Sequence, residues 1–331
     1  MKPVCTHIAG ALVAVSLAFG AVGALAQSAS PAAFPEKSVR IIVPFTPGGG
    51  NDVLARIIAG KISERWKYPM LVENRPGAGG NIGTELVAKA PPDGYTILMG
   101  ANQLAMIPYL YAKLPFDVQK DLKPITQLAN TPLMFAVHNG LPIQTVKELI
   151  AYGKANPGKL AFATPGNGTP QHLGAEMFMS MAGVQMLHVP YKGAVATWAA
   201  LMTGEVGVHF GALNSAFGLA RAGKIRLLGT GSSKRLSMLP DVPTVAEAGV
   251  PGYEADIWYG LFTSGGTPDD IVARLREEVV KVLESPDVKN LLNGQGFEVT
   301  TSTPQALGNT LRADLERWGK VIRTAGITAQ Q

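Results

Sequence analysis

The sequence predicts an α/β fold of two lobes, each built on a mainly parallel sheet. Three observations carry this. Short apolar runs alternate with amphipathic helical stripes; three glycine-rich loops each stand between such a run and a helix; and a helix-rich last third follows one isolated strand. A length of 331 residues suits about two domains at roughly 150 residues each.

The elements follow in order. Val39 to Phe45 is a near-continuous apolar run of parallel-strand type, and Pro47-Gly48-Gly49-Gly50 leads into a helix with Val53, Leu54, Ile57, Ile58, Ile62 and Trp66 on one stripe. Met70 to Asn74 is the second strand; Pro76-Gly77-Ala78-Gly79-Gly80 carries it into a helix near Ile82 to Lys89. Tyr95 to Met99 is the third, ending in a polar loop, Gly100 to Gln103. Past Pro132, Leu133 to Val137 is a strand, and Thr145-Val146-Lys147-Glu148 is a capping box for a helix to Ala155. Leu160 to Thr164 feeds Pro165-Gly166-Asn167-Gly168, after which Thr169 caps and Pro170 opens a helix carrying Leu173, Met177 and Met181. Further strands are expected at Leu187 to Val189, Val206 to Phe210 and Ile225 to Thr230, with helices at Ala194 to Met202 and Asn214 to Ala220. Ala255 to Thr263 is a strand crossing back to the first lobe. Three helices end the chain, the first capped by Thr267, opened by Pro268 and buried along Ile271, Leu275, Val279 and Val282. The lobes are therefore expected at 34–130 plus 255–331 and at 131–254.

Composition limits the functional classes. With 47% hydrophobic and 16% charged residues the chain is globular, and its 38 Gly and 24 Pro stay below the roughly 25–30% share of a low-complexity chain. The net charge of +5 is spread without Lys/Arg runs, which argues against nucleic acid as a partner. Lys2, the apolar run from Ile8 to Leu25 and the small-x-small site Ala24-Leu25-Ala26 predict a signal peptide over 1–26, cleaved after Ala26, then a polar linker over 27–33. A retained membrane anchor is the alternative, since a run of about 18 residues is near the lower limit of a span. Cys5 precedes the run and leaves with it. The mature chain then has no disulfide, thiolate metal site or thiol nucleophile.

The chemistry is concentrated in the loops at 47–50, 76–80 and 165–168. In a parallel α/β sheet such loops share one edge, and ligands bind outside the carboxyl ends of the strands. Each helix start offers unpaired N–H groups and partial positive charge, so the natural guest is an anion. No stretch fits GxxxxGK[ST] or, in these loops, GxGxxG; the five histidines lack metal spacing; no GxSxG elbow appears, and the glycine loops hold no paired-carboxylate motif. A donor-rich pocket poor in proton-transfer groups suits binding without reaction, with neither metal nor cofactor. Asp52 either caps the helix after Gly50 or orients loop amides, and His172 is either a helix-start side chain or a cleft donor. His188 and His209, in apolar strands, read as satisfied core residues. Phe45, Tyr191, Trp258 and Tyr259 read either as the lining of an aromatic-acid pocket or as hinge and core.

Five segments carry a resemblance: 43–52 (VPFTPGGGND), 72–83 (VENRPGAGGNIG), 90–96 (APPDGYT), 188–193 (HVPYKG) and 239–249 (LPDVPTVAEAG). Together they resemble the Bug/TctC family of tripartite tricarboxylate transporter receptors, from about Phe34 to Ile327. The resemblance implies a periplasmic-binding-protein fold of type II, a two-lobed Venus flytrap in the periplasm. Such a receptor closes on a small organic carboxylate and passes it to the transporter's membrane components. Matched by motif, the implied ligand-binding residues are Phe45, Gly49, Asp52, Gly79, Gly80 and Asn102 in the first lobe. In the second they are Thr164, Gly166, Gly168, Thr169, His172, Tyr191 and Asn214. Many members carry an Asp-Asn pair where this chain reads Gly211-Ala212-Leu213-Asn214-Ser215, which leaves a ligand amine or distal group without the Asp that would meet it.

The expected function is therefore a non-catalytic, monomeric solute receptor without cofactor. A receptor signalling to a membrane sensor kinase is the first alternative, and a periplasmic lyase or hydrolase on the same scaffold the second. Charge-assisted hydrogen bonds contribute about 1.5–3 kcal/mol each, and micromolar binding needs roughly −8 kcal/mol. A few such bonds suffice, so the expected pocket needs no Arg or Lys.

Overall fold

A computed structural model describes residues 34–327; the expected signal peptide, Cys5 and the linker lie outside the described residues. The first units are β1 (Val39–Val43), α1 (Gly50–Ser63), β2 (Met70–Asn74), a 3-10 turn at Ala78–Gly80, α2 (Asn81–Ala88) and β3 (Thr96–Ala101). β1 lies between β2 and β3 and runs parallel to both, with Ile41 opposite Val72 and Ile97. Its Val39, Ile41, Ile42 and Val43 are fully buried, as a strand covered on both faces requires. On α1 the buried stripe is narrower than the sequence suggests. Leu54, Ile58 and Ile62 are sealed, Val53 and Ile57 are half-buried, and Trp66 lies past the helix end.

The expected polar loop at Gly100 to Gln103 is not a loop. Gly100 and Ala101 continue β3 by pairing with Gly260 and Tyr259, and Gln103 opens α3 (Gln103–Leu110), with Asn102 between them. The next strand, β4 (Leu122–Val137), has 16 residues where only its last five were expected.

The second set comprises α4 (Val146–Ala155), β5 (Ala161–Thr164), α5 (Pro170–Ala182), β6 (Leu187–Pro190), α6 (Ala194–Thr203), β7 (Val208–Ala212), α7 (Leu213–Arg221) and β8 (Arg226–Thr230). The Thr145 cap is present, its hydroxyl accepting from Glu148 N–H at 3.1 Å. β5 runs parallel to β6 and β7. Met181, expected on the stripe of α5 with Leu173 and Met177, is 44% exposed, whereas those two are buried.

The chain then returns through β9 (Asp256–Ser264), α8 (Asp269–Glu284), α9 (Pro286–Asn293), the short β10 (Glu298–Val299) and α10 (Pro304–Ala325). Thr267 does not cap α8. Pro268 takes that place, and the Thr267 hydroxyl instead donates to the Ser264 carbonyl at 2.9 Å.

Strand order is β2-β1-β3-β9-β4-β7-β5-β6, with β8 and β10 also on β4. Each half is thus a parallel trio, and two long antiparallel strands join the halves. β4 pairs with β9 over Leu122 to Pro132 and with β7 over Leu133 to Val137, so it runs through the point expected to divide the lobes. Its register against β9 slips twice, between Pro124 and Thr126 and between Gln127 and Ala129, and such bulges bend and twist a strand. The largest apolar core follows these strands from one half to the other, with Phe135 edge-on to Phe178 and Phe210 at 4.8 and 4.7 Å. Leu307, Leu311, Leu315, Trp318 and Ile322 bury one face of α10, which packs on α3, β4 and α5.

Candidate ligand-binding cleft

All three glycine loops reach one cavity of about 490 Å³, within the range of small-molecule sites. The first half contributes Phe45, Thr46, Gly49 and Gly50 from the first loop, Gly77 to Gly80 from the second, and Gln103 at the start of α3. Across from them stand Pro165, Gly166, Asn167 and Thr169, then Tyr191 and Lys192, then Asn214 and Ser215. Ile257 and Tyr259 of β9 complete the wall.

The halves touch around this space. A Cβ on Gly193 would collide with Thr46 Oγ1, and one on Gly48 would lie 3.1 Å from Val195. At Gly79 it would lie 3.2 Å from the Asn167 carbonyl. Gly80 has φ +101°, which side-chain-bearing residues rarely adopt, so glycine there lets the chain turn into α2.

The expected site residues divide into two groups. Phe45, Gly49, Gly79, Gly80, Gly166, Thr169, Tyr191 and Asn214 line the cavity. Asp52, Asn102, Thr164, Gly168 and His172 stand behind that wall. Asp52 is buried, and its carboxylate accepts from Gly48 N–H at 3.0 Å, from Arg56 Nε at 3.0 Å and from Asn74 Nδ2 at 2.9 Å. Burial alone would raise its pKa, but these three donors hold it below the usual carboxylate value. Asn102 donates from Nδ2 to the Asp256 carbonyl at 2.8 Å.

The second-half supports are equally local. The Thr169 hydroxyl donates to Gly166 O at 2.8 Å and accepts from His172 N–H at 3.4 Å, which fixes the start of α5. Gly168 N–H donates to His172 Nδ1 at 3.3 Å, and Nε2 on the other side of the ring lies 3.6 Å from Glu176 Oε1. His172 stacks on His188 at 4.1 Å, and His188 Nε2 pairs with Thr164 Oγ1 at 2.6 Å. Burial, and then His172, push the His188 pKa down to about 3. His209, buried and bonded to Ala163 O and Thr197 Oγ1, is pushed down to about 4 by burial. Both rings are therefore neutral structural groups at pH 7.

Among the described residues, Lys192 supplies the sole charged side chain of the wall, one cation more than the expected pocket needs. The aromatic residues also separate. Phe45, Tyr191 and Tyr259 line the cavity, whereas Trp258 is buried and donates to Asp314 at 2.8 Å. The Tyr191 hydroxyl donates to Glu205 at 2.8 Å; burial and that carboxylate push its pKa up to about 12.

Sequence reasoning missed Gln103 and Tyr111 as wall residues and left Tyr259 open between pocket lining and core, and the cavity wall includes it. Tyr259 sits opposite Ala101 in register, at the carboxyl end of β3, and burial raises its pKa. Gln103 is fully buried with neither amide atom bonded. Its position directly after a strand that ends at the site was the available signal. Among the described residues the wall offers backbone amides, hydroxyls, neutral amides and one ammonium, a donor set whose chemistry suits an anion. Among the described residues no group of three or more His, Cys, Asp or Glu converges as a metal site, and no helix is long and apolar enough to cross a membrane.

A family model described as tripartite tricarboxylate transporter family receptor matches residues 54–327. Protein BugT of Bordetella pertussis is 33% identical over 317 residues, 95% of this chain and 97% of its own. Two solved structures from Rhodopseudomonas palustris are similar along nearly their whole length. Rpa4515 with adipate has 36% identity and a TM-score of 0.86, covering 89% of this chain and 99% of its own. MatC with bound malate has 30% identity and a TM-score of 0.83, covering 87% and 100%.

Proposed function

The chain belongs to the Bug/TctC family of tripartite tricarboxylate transporter receptors, and from that premise we propose that it captures one small organic carboxylate in the cleft and delivers it to the transporter's membrane components. Members of the family are periplasmic solute-binding proteins of the two-lobed type. One observation carries the reading: three glycine loops and the starts of α1, α2 and α5 converge on a single cavity with one cation and no acid in its wall, among the described residues. Adipate and malate in the two relatives support a carboxylate guest.

In this proposal the carboxylate lies against the amides of the first and second loops and the Thr169 hydroxyl, with Lys192 facing it from the rim. Asp52, Thr164, Gly168 and His172 hold the loops in shape. The lobes are 34–130 plus 255–331 and 131–254, joined through β4 and β9. The receptor works as a monomer, after cleavage behind Ala26, and performs no chemistry on its guest.

Titration calorimetry and thermal shift across a panel of aliphatic, hydroxylated and aromatic carboxylates test the reading. At least one is expected to bind at micromolar Kd, and failure of every carboxylate to bind overturns it. Cross-linking in intact cells is expected to capture the transporter's membrane components. Capture of a sensor kinase in their place would overturn the delivery step and leave the carboxylate site standing.

A further inference from the structure

The backbone of residues 191–193 is fastened to the third glycine loop. Tyr191 N–H donates to the Thr164 carbonyl at 2.9 Å, and Gly193 N–H donates to the Pro165 carbonyl at 3.2 Å, at the point where Gly193 meets Thr46 of the other half. Between these anchors Lys192 is exposed, and no ion pair among the described residues engages its ammonium. One acid stands close by. Glu205, also exposed and outside the cavity wall, accepts the Tyr191 hydroxyl at 2.8 Å. Two opposite charges therefore flank one wall residue, Lys192 on the next position in the chain and Glu205 on its hydroxyl. The field behind them is positive. Besides α1, α2 and α5, the wall includes the starts of α6 (Gly193, Ala194) and α7 (Ala212, Asn214, Ser215), neither with a side-chain cap, while Arg56 neutralises Asp52.

We propose that Lys192 and Glu205 set the rate at which an anionic guest enters the cleft, Lys192 drawing it to the mouth and Glu205 opposing it. This rests on the receptor reading above and adds to it two encounter residues, one of them outside the wall. A charge exposed to water does little to hold a group already bound. It does bend the path of an approaching opposite charge, because a cleft lined by one sign focuses its field outward. Attraction is the larger of the two, since five helix starts reinforce Lys192 and, among the described residues, no acid of the wall reinforces Glu205. Seated, the guest is held by the loop amides, so the two side chains act on association and the wall governs release.

Stopped-flow mixing of the intact protein with the best-binding carboxylate of the panel, read by intrinsic fluorescence, tests this, with calorimetric Kd as a check on the ratio of rates. It is run at an ionic strength of roughly 0.01 M and again at roughly 1 M, where the screening length falls from about 30 Å to about 3 Å. At the lower value Lys192→Gln is expected to reduce kon at least about twofold, the pull of one unit charge on another about 6 Å away in water. Glu205→Gln, which still accepts the Tyr191 hydroxyl, is expected to raise kon by a smaller factor. Both differences are expected to vanish at the higher value. A Lys192→Gln loss carried by koff would make the ammonium a grip on the bound guest and overturn the inference. So would an unaltered kon in Glu205→Gln, or differences that survive at high salt. Each of these results leaves the receptor reading intact, whereas failure of every carboxylate to bind removes both.

Discussion

The Asp52 carboxylate serves the loop beside the cavity, with Oδ2 accepting the Gly48 N–H at 3.0 Å while Oδ1 takes the Asn74 amide at 2.9 Å. A negative charge at the start of α1 would repel an anionic guest if it faced one. Here it is spent on Arg56 and two neutral donors, and the loop amides past Gly48 remain available.

Asp52→Asn is therefore expected to lower affinity for the best carboxylate about tenfold, or about 1.4 kcal/mol, because an amide oxygen holds Gly48 and Arg56 less firmly. The fold should change little. Calorimetry beside a melting curve checks both, and native affinity in the variant would reduce Asp52 to a helix-start residue.

Gly193→Ala tests whether the halves must meet to hold the guest. Its Cβ would strike Thr46 Oγ1 across the cleft, and its φ of +97° adds strain. Affinity is expected to fall at least about tenfold, and Thr46→Ala in the same chain should restore part of it. Gly204→Ala, at φ +77° on the C-cap of α6, controls for strain alone and should lower melting temperature without that loss of affinity.

Asp256 begins β9, and burial, followed by Glu254 and Glu298, pushes its pKa up to about 7 against the pull of Arg317. Between its ordinary value near 3.8 and 7 the folded state keeps a proton that the unfolded state has released. Its contribution to stability therefore falls as pH rises through that window and stays low above it. Asp256→Asn removes the penalty. The variant is expected to melt at least about 3 °C above the native protein at pH 8, and within about 1 °C of it at pH 4. An equal shift at both pH values would mean that the carboxyl does not titrate there.

The glycine loops were legible because their sequence signal is local: an apolar run, a turn that glycine alone permits, and a helix start. For the same reason the three parallel units of the first half could be placed nearly to the residue. The first eleven residues of β4 were not. Lys123, Pro124, Gln127 and Asn130 interrupt any apolar pattern there, and what makes the segment a strand is pairing with β9, more than 120 residues away in sequence. α3 was hidden by Pro108 inside it and by the polar Asn102-Gln103 at its start. The orphaned amide of Gln103 was invisible for a related reason: whether a glutamine is satisfied depends on walls brought in by β9 and α7.

β9 carries Tyr259 into the cavity wall and, through the same residues, joins the two halves to each other. Contact with the guest and the stiffness of the connection thus share one strand. Anyone who retunes this receptor as a biosensor by changing Ile257 or Tyr259 will alter selectivity and the mechanical response together. Gln103 and Asn214 belong to α3 and α7, so substitutions there change the cavity wall while leaving the sequence of β9 intact.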